Sequence, residues 1–261
     1  MTLRFTKEMD LFSTGIRPYI DKWIVDNNSQ EYPKDYFRAS SAGYCPRYVI
    51  MKRLGIPTVP ERQGDTRSLR VFAAGTHFHE FMQRITKEAG VSIAQEVELT
   101  DEQWGVKGHF DDLVHVEEGK LILYDYKTQN SKAFTWQKGK GISHLHRYQL
   151  GTYMCMLRKQ YPELDEARIL KISKDDLRFA EEQLLWSPQL EADIDEYWTS
   201  LKRYWVRYQE DGTLPACNCK EIDGGWFGNR NSRGGIWNDF FYNEEPCSGE
   251  WMEQSENVWK K

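Results

Sequence analysis

The chain has few cysteines for its length and no long uninterrupted hydrophobic run. Five cysteines occur in 261 residues, and an odd count is not typical of a secreted disulfide framework. No apolar run is long enough to span a bilayer, and no secretory signal pattern is present. We therefore expect a cytoplasmic protein with no membrane partner.

Internal repeats, low-complexity tracts and a P-loop are also missing. The lack of a P-loop means that processive unwinding of a duplex would need a partner protein. With 39% hydrophobic and 29% charged residues, the chain can bury a substantial core and carry an appended subdomain. The net charge of -5 is unfavourable for a protein that coats DNA without selectivity.

Acidic residues are absent between Tyr126 and Pro162, which we call the basic segment. Its cations are Lys127, Lys132, Lys138, Lys140, Arg147, Arg158 and Lys159. Aromatic residues, including Trp136, alternate with these cations, and this mixture suits single-stranded nucleic acid through phosphate attraction and base stacking. We predict nucleic-acid contacts from Trp136, Lys138, Lys140 and Arg147; the alternative is an ordinary solvated face.

Two runs of β-forming residues flank the short segment 117–119, which predicts a hairpin with glycine in the last, left-handed position of its loop. Centring the turn on Glu118 pairs Asp111 directly with Asp125. Because strand residues alternate between faces, Lys127 shares the face of Asp125. Carboxylates held about 5 Å apart repel each other unless a cation neutralises them. A hard divalent ion such as Mg²⁺ or Mn²⁺ fits this role.

Further motifs flank the hairpin in a fixed order. They are Gly75-x-x-x-His79, Gly108-x-x-Asp111, Asp125-x-Lys127 and Gln149-x-x-x-Tyr153. Together they resemble the PD-(D/E)XK nuclease superfamily, and specifically its RecB-like branch. The resemblance implies that a metal ion is held by His79, Asp111, Asp125 and the carbonyl of Tyr126. It also implies that Lys127 assists attack of water on a phosphodiester, while Gln149 and Tyr153 contact phosphate or orient the lysine.

The cysteines fall on both sides of these motifs. Cys45 precedes them, whereas Cys217, Cys219 and Cys247 follow, and Cys155 lies among apolar residues as a core side chain. One cysteine before and three after the core is similar to the iron–sulfur nucleases of CRISPR adaptation and of the AddB type, which implies a [4Fe-4S] cluster. The spacing departs from the usual C-x-x-C-x5-C. Tetrahedral zinc, or four reduced thiols without metal, are the alternatives.

The periodicity predicts an α/β fold. We expect helices near 70–89 and 143–160, strands near 92–99, 106–116, 120–128, 167–173 and 177–186, and a final amphipathic helix from Leu190 to Tyr208. The first helix is predicted to bury one stripe formed by Val71, Phe72, Phe78, Phe81, Met82 and Ile85. This order is similar to the restriction-endonuclease-like PD-(D/E)XK core, a mixed sheet flanked by helices.

We predict three regions. Residues 1–69 form an N-terminal helical region with the first cluster cysteine, 70–210 the nuclease core, and 211–261 a cysteine-containing segment that closes a Cys-clasped subdomain made from both termini. The resemblance implies a metal-dependent DNA exonuclease acting on single-stranded ends in recombination, repair or replication, with helicase, recombinase or CRISPR adaptation partners. The alternatives are a structure-specific or flap endonuclease and a catalytically inactive, nuclease-fold DNA-binding subunit.

Overall fold

The computed structural model describes residues 15–27, 35–55, 66–116 and 119–216. Within these ranges, none of the helices combines the length and the apolar character that crossing a membrane requires. Cys217, Cys219 and Cys247, and with them the predicted cysteine clasp, lie outside the described residues.

A mixed sheet flanked by helices forms the described part of the protein. The strands are β1 (Phe37–Arg38), β2 (Ser92–Asp101), β3 (Val106–His115), β4 (Leu121–Gln129), β5 (Glu166–Ser173) and β6 (Phe179–Leu185). The α-helices are α1 (Arg17–Asn27), α2 (Pro46–Arg53), α3 (Thr66–Glu88), α4 (Ser131–Gln137), α5 (His144–Arg158) and α6 (Pro188–Asp211). The predicted α/β class is confirmed.

Side-chain caps explain where three of the helices begin. The Asn130 side chain accepts from the Ala133 amide at 2.8 Å before α4, and Ser187 accepts from the Leu190 amide at 3.1 Å before α6. Ser143 caps α5 in the same way. Each cap satisfies an amide that has no partner inside its own helix. α4 lies in the first half of the basic segment, before the predicted helix near 143–160, and the sequence predicts no helix there.

The hairpin of β3 and β4 has the predicted register. Asp112 pairs with Tyr124 and His115 with Leu121, so the turn is centred on position 118. Gly119 has φ +77°, a conformation that glycine adopts without the steric cost a side chain would add. Extending the register by one pair places Asp111 opposite Asp125.

One edge of β3 is left open beside Asp111. On this edge β1 pairs with positions 106 and 107, and β4 pairs with positions 112–115. β2 runs along the other edge of β3. Among the described residues, positions 108–111 therefore face a gap between two strands rather than a continuous ladder, and the Asp111 carboxylate lies at the end of this gap.

The two faces of the sheet have different cores. Leu113, Leu123 and Ile169 point to the face that α5 and α6 cover, where Met154 and Trp198 are fully buried. The opposite face, under α3, has a smaller cluster built from Met82, Tyr126, Leu170 and Ile172. Because strand residues alternate, Asp111, Asp125 and Lys127 belong to the face covered by α5.

The predicted apolar stripe of α3 is correct only in part, because Phe78 packs against the small cluster that includes Met82 but the other members are exposed. Met82 is buried, but Val71, Phe72, Phe81 and Ile85 are exposed. The helix instead turns His79, Gln83 and Thr86 toward the sheet, where each contacts an acidic residue of β3 or its backbone. A polar face is buried because it meets polar partners, so hydrophobic periodicity alone misplaced the helix rotation.

Candidate active site

Asp125 is the most buried acid of the predicted site. Only 4% of its surface is exposed. Lys127 Nζ lies 2.8 Å from both carboxylate oxygens, but only Oδ1 accepts a hydrogen bond with good geometry. Oδ2 is buried and has no hydrogen-bond partner within the ranges that the structure describes. A buried carboxylate oxygen that accepts no well-directed hydrogen bond has free acceptor capacity, which makes this atom a candidate ligand for a cation beside the Lys127 ammonium.

The charges around Asp125 act in opposite directions. Burial raises the pKa of Asp125 to about 6, the nearby Lys127 ammonium opposes this, and Asp111 adds to the increase. For Lys127, burial lowers the pKa, but the Asp125 and Asp111 carboxylates outweigh it, so the net pKa is raised. The lysine is therefore a protonated donor beside two acids that repel each other electrostatically.

Asp111 is held from two sides. The backbone N–H of Tyr126, on β4, donates to Asp111 Oδ2 at 2.6 Å. This hydrogen bond joins β3 and β4 just beyond the last residue pair of their ladder. His79 Nδ1, from α3, lies 3.4 Å from the same oxygen. Burial lowers the pKa of His79, but hydrogen bonding to Asp111 and the charge of Asp111 outweigh it and raise the net pKa.

Two α5 residues complete this side of the site. Gln149 Nε2 donates to Asp125 Oδ1 at 3.2 Å, so the amide contacts the acid rather than the lysine. Tyr153 is buried beside β3, and burial, then the charges of Asp125 and Asp111, raises the pKa of its phenol. A Cβ at Gly108 would lie 2.8 Å from Tyr153 Oη and 2.7 Å from Ala39 Cβ. Glycine is thus required at position 108 for the phenol to approach β3.

The structure brings together His79, Asp111, Asp125, Lys127, Gln149 and Tyr153, with the Tyr126 backbone between the two acids. The arrangement pairs a lysine with two carboxylates at a break in a sheet. Such a group can hold a divalent cation and present an ammonium to an anionic substrate.

The family model for the PD-(D/E)XK nuclease superfamily matches residues 87–233, more than half of the chain. The chain belongs to the PD-(D/E)XK nuclease superfamily. This membership supports nuclease function, and Asp111, Asp125 and Lys127 all fall inside the matched range. His79 precedes it.

Several solved structures of low sequence identity are similar to the nuclease. The protein SSO0001 is 20% identical, with 75% of this chain and 87% of that chain covered and a TM-score of 0.48. An alkaline exonuclease from Laribacter hongkongensis is 13% identical, with 73% of this chain and 94% of that chain covered and a TM-score of 0.49. A phage-related exonuclease from Haemophilus somnus 129PT is 14% identical, with 68% and 96% covered and a TM-score of 0.39. No curated protein matches the chain.

PD-(D/E)XK nucleases generally use Mg²⁺ or Mn²⁺, and the residues of this site fit such an ion. The donors are carboxylate oxygens and an imidazole, and Asp125 Oδ2 is a buried oxygen that accepts no hydrogen bond and is contacted by the Lys127 ammonium. In the described ranges, however, no three His, Cys, Asp or Glu side chains are already arranged around a common metal position. Lys127 and the Tyr126 amide hold the two acids instead.

The nuclease carries an exposed aromatic side chain soon after the site. In α4, which follows β4, the Trp136 indole is 56% exposed, and Lys140 Nζ lies 3.3 Å from its ring centroid. Lys138 is exposed as well. Arg147, by contrast, lies 3.8 Å from Asp193 of α6, so this predicted nucleic-acid contact has an acidic neighbour within the protein.

Other cations of the basic segment have structural partners. Lys159 donates to Asp101 at 2.5 Å, and Arg158 donates to the Leu164 carbonyl at 2.7 Å. The sequence of the basic segment does not indicate these pairings, because the acidic partner of Lys159 is 58 residues away in sequence. The local excess of positive charge is therefore smaller in the fold than in the sequence.

His146 of α5 was not among the predicted site residues. Burial lowers the pKa of His146 to about 4, and the charges of Lys127 and Lys171 contribute to the decrease. The imidazole is therefore neutral at pH 7. The sequence holds one indication that His146 lies near the site: it is three residues before Gln149 on the same helix, and residues three apart share a helical face.

Three further polar residues support the site and were missed. Gln83 and Thr86 of α3 contact β3, and Asp112 accepts four hydrogen bonds beside Asp111. The available signal was spacing: positions 79, 83 and 86 lie on one helical face. Asp112 was inconspicuous because it points to the face opposite Asp111.

Proposed function

We propose that this nuclease is a divalent-metal-dependent DNA exonuclease acting on single-stranded ends. The observation that carries the proposal is the meeting of Asp111, Asp125 and Lys127 at the gap in the sheet. All three side chains retain the chemistry that hydrolysis of a phosphodiester needs. Inactive members of a nuclease family tend to lose these groups, so the intact Asp111, Asp125 and Lys127 argue against a catalytically inactive DNA-binding subunit.

Each residue has a distinct task in the proposed mechanism. Asp111, Asp125, His79 and the Tyr126 carbonyl would hold the cation, and Gln149 keeps the Asp125 carboxylate oriented. When bound, Mg²⁺ or Mn²⁺ supplies Lewis acidity toward the scissile phosphate. The Lys127 ammonium has further N–H donors beyond its bond to Asp125, and we propose that these orient the attacking water and offset the negative charge that develops on the phosphate.

We also propose that the nuclease belongs to the RecB-like branch. Two of the motif residues have physical support: Gly108 leaves room for Tyr153, and His79 reaches Asp111 from α3. These contacts explain why a glycine and a histidine would occupy those motif positions.

Digestion of labelled oligonucleotides tests the function. We expect a 5′- or 3′-labelled single strand to be shortened progressively in Mg²⁺ or Mn²⁺, and EDTA to stop the reaction. A covalently closed single-stranded circle should survive, because it has no end. Cleavage of the circle would favour an endonuclease. Absence of cleavage on every substrate, with DNA binding retained, would favour the inactive subunit.

The surface around α4 is proposed to guide the strand. Replacing Trp136 by alanine should weaken single-strand binding by roughly 1–3 kcal/mol if the indole stacks on a base. Replacing Lys138 and Lys140 together by glutamate should weaken binding and reduce its salt dependence. The slope of the logarithm of the binding constant against the logarithm of the salt concentration should become shallower by about 0.7 for each phosphate that these lysines neutralise. Fluorescence anisotropy at several salt concentrations measures both effects.

The matched control for this surface is Lys87→Glu, the same charge reversal at an exposed lysine in the last turn of α3. It should leave affinity and salt slope within a factor of two of the unmodified protein. Lys87→Glu reverses one charge and the Lys138 and Lys140 variant reverses two, so an effect of Lys87→Glu at least half as large would indicate net charge alone, and the α4 surface would then have no specific role.

We propose that Cys45, Cys217, Cys219 and Cys247 bind a structural [4Fe-4S] cluster, with Zn²⁺ as the alternative metal. Cys45 is buried directly before α2. Arg47, two residues on, donates to the Pro215 carbonyl at 3.2 Å. This contact joins the residues just after Cys45 to Pro215, which is two residues before Cys217 in the sequence, and it supports a clasp.

Cys45→Ala and Cys155→Ala form a matched pair of buried cysteine variants. We expect Cys45→Ala to lower bound metal and thermal stability, because it removes a ligand from a link that closes a very long loop. Cys155→Ala should leave the metal content unchanged. Elemental analysis and absorption spectra of anaerobically purified protein measure the outcome. Colourless protein with zinc would reject the cluster, and metal-free, stable protein would reject the clasp.

A further inference from the structure

Gln83 links α3 to the backbone of the Asp111 strand. It lies one helical turn after His79 and is buried. Its Nε2 donates to the Asp111 carbonyl at 3.0 Å and to Glu96 Oε1 at 2.7 Å. One face of α3 therefore contacts Asp111 twice: His79 approaches the carboxylate, and Gln83 binds the main chain.

The ladder between β2 and β3 is opened at this point by Glu96. Glu96 lies between the pairs Gln95 with Asp112 and Val97 with Phe110, and so opposite Asp111. Its φ is +50°, a left-handed conformation that is unfavourable for a residue with a side chain. In a regular strand Glu96 would point away from the face that Gln95 occupies. The left-handed backbone lets its carboxylate reach Gln83 on α3, the helix that Gln95 also contacts.

We propose that Gln83 is a positioning residue for Asp111, an inference that rests on the proposed metal-dependent function. Its amide holds the Asp111 carbonyl where the open ladder would otherwise leave the main chain less constrained. The position of the main chain determines where the Asp111 carboxylate meets the Tyr126 amide and the cation. Glu96 in turn orients the Gln83 amide by accepting from the same nitrogen.

The variant Gln83→Met tests this role because methionine has nearly the same length but no donor. We expect Mn²⁺ affinity, measured by electron paramagnetic resonance, to fall at least about tenfold, as is typical when a group that orients a ligand is removed. We also expect the Tyr126 amide, which is bonded to Asp111, to exchange faster with D₂O in NMR spectra of the metal-free protein. Gln83→Leu, which is similar in size and has neither a donor nor a charge, should behave similarly if Gln83→Met does not fold.

The matched control is Gln95→Met. Gln95 Nε2 donates to the Gln83 carbonyl, Thr86 Oγ1 and Asp112 Oδ2, so its replacement disturbs the same region without touching Asp111. We expect lower thermal stability but unchanged Mn²⁺ affinity and Tyr126 exchange. A Gln83→Met protein that keeps both properties would overturn the positioning role. If the unmodified protein binds no Mn²⁺, the proposed function fails, and Tyr126 exchange alone then decides the role of Gln83.

Discussion

Asp125→Asn and Lys127→Ala should each reduce DNA cleavage by at least about 10²–10³-fold, the effect expected when one preorganised electrostatic interaction with a developing charge is removed. Asp125→Asn removes an anionic metal ligand and leaves the Lys127 ammonium without its carboxylate. Lys127→Ala removes the donor and leaves Asp125 buried without a cation. Initial rates on an end-labelled single strand, in Mg²⁺ and in Mn²⁺, measure the reduction, and Asp111→Ala should behave in the same way.

The two variants should differ in metal binding. Asp125→Asn should weaken Mn²⁺ binding, whereas Lys127→Ala should keep or strengthen it because a competing cation is gone. Lys107→Ala is the control, since Lys107 also pairs with an acid on the sheet, at 3.0 Å from Glu98 Oε1, but lies four residues before Asp111, where β1 pairs with β3. It should retain cleavage within a few-fold. Rates near the unmodified level for Asp125→Asn or Lys127→Ala would reject the assignment of the site.

The acid pair could be predicted from sequence because its geometry is local. A hairpin fixes which residues oppose each other once its turn is known, and the glycine at position 119 indicated that turn. The predicted register is the observed one. The predicted strands and helices occur in the observed order for a similar reason: each has its own periodicity, and the observed bounds differ from the predicted ones by only a few residues, although β1 and α4 were not predicted.

The parts that sequence did not reveal depend on docking between distant elements. The rotation of α3 was misjudged because its buried face carries His79, Gln83 and Thr86, whose partners lie on β2 and β3. Hydrophobic periodicity does not account for such polar matching. The gap in the β3 edge depends on where β1 pairs, and a two-residue strand leaves almost no pattern in the sequence.

Asp112→Ala should produce the largest decrease in stability. The Asp112 side chain is fully buried and accepts hydrogen bonds from four uncharged groups: Thr86 Oγ1 at 2.5 Å, Ser92 Oγ at 2.6 Å, Gln95 Nε2 at 3.1 Å and Tyr126 Oη at 2.8 Å. Alanine would remove the acceptor of four donors, of which Tyr126 Oη is buried and the other three are partly buried. The free energy of unfolding should fall by on the order of 3–5 kcal/mol, a large share of the stability of a typical domain.

Urea unfolding of the metal-free protein measures this decrease, and a pair of milder variants shows its origin. Thr86→Val removes one of the four donors and should cost about 1 kcal/mol. Asp112→Asn keeps the size of the side chain but exchanges one acceptor for a donor that faces other donors. Its decrease in the free energy of unfolding should lie between those of Thr86→Val and Asp112→Ala. A cost of Asp112→Ala no greater than that of Thr86→Val would mean that the four hydrogen bonds contribute little. The larger expected value follows because the network joins α3, β2, β3 and β4 through one carboxylate, and those are the elements that hold His79, Asp111 and Asp125 in place.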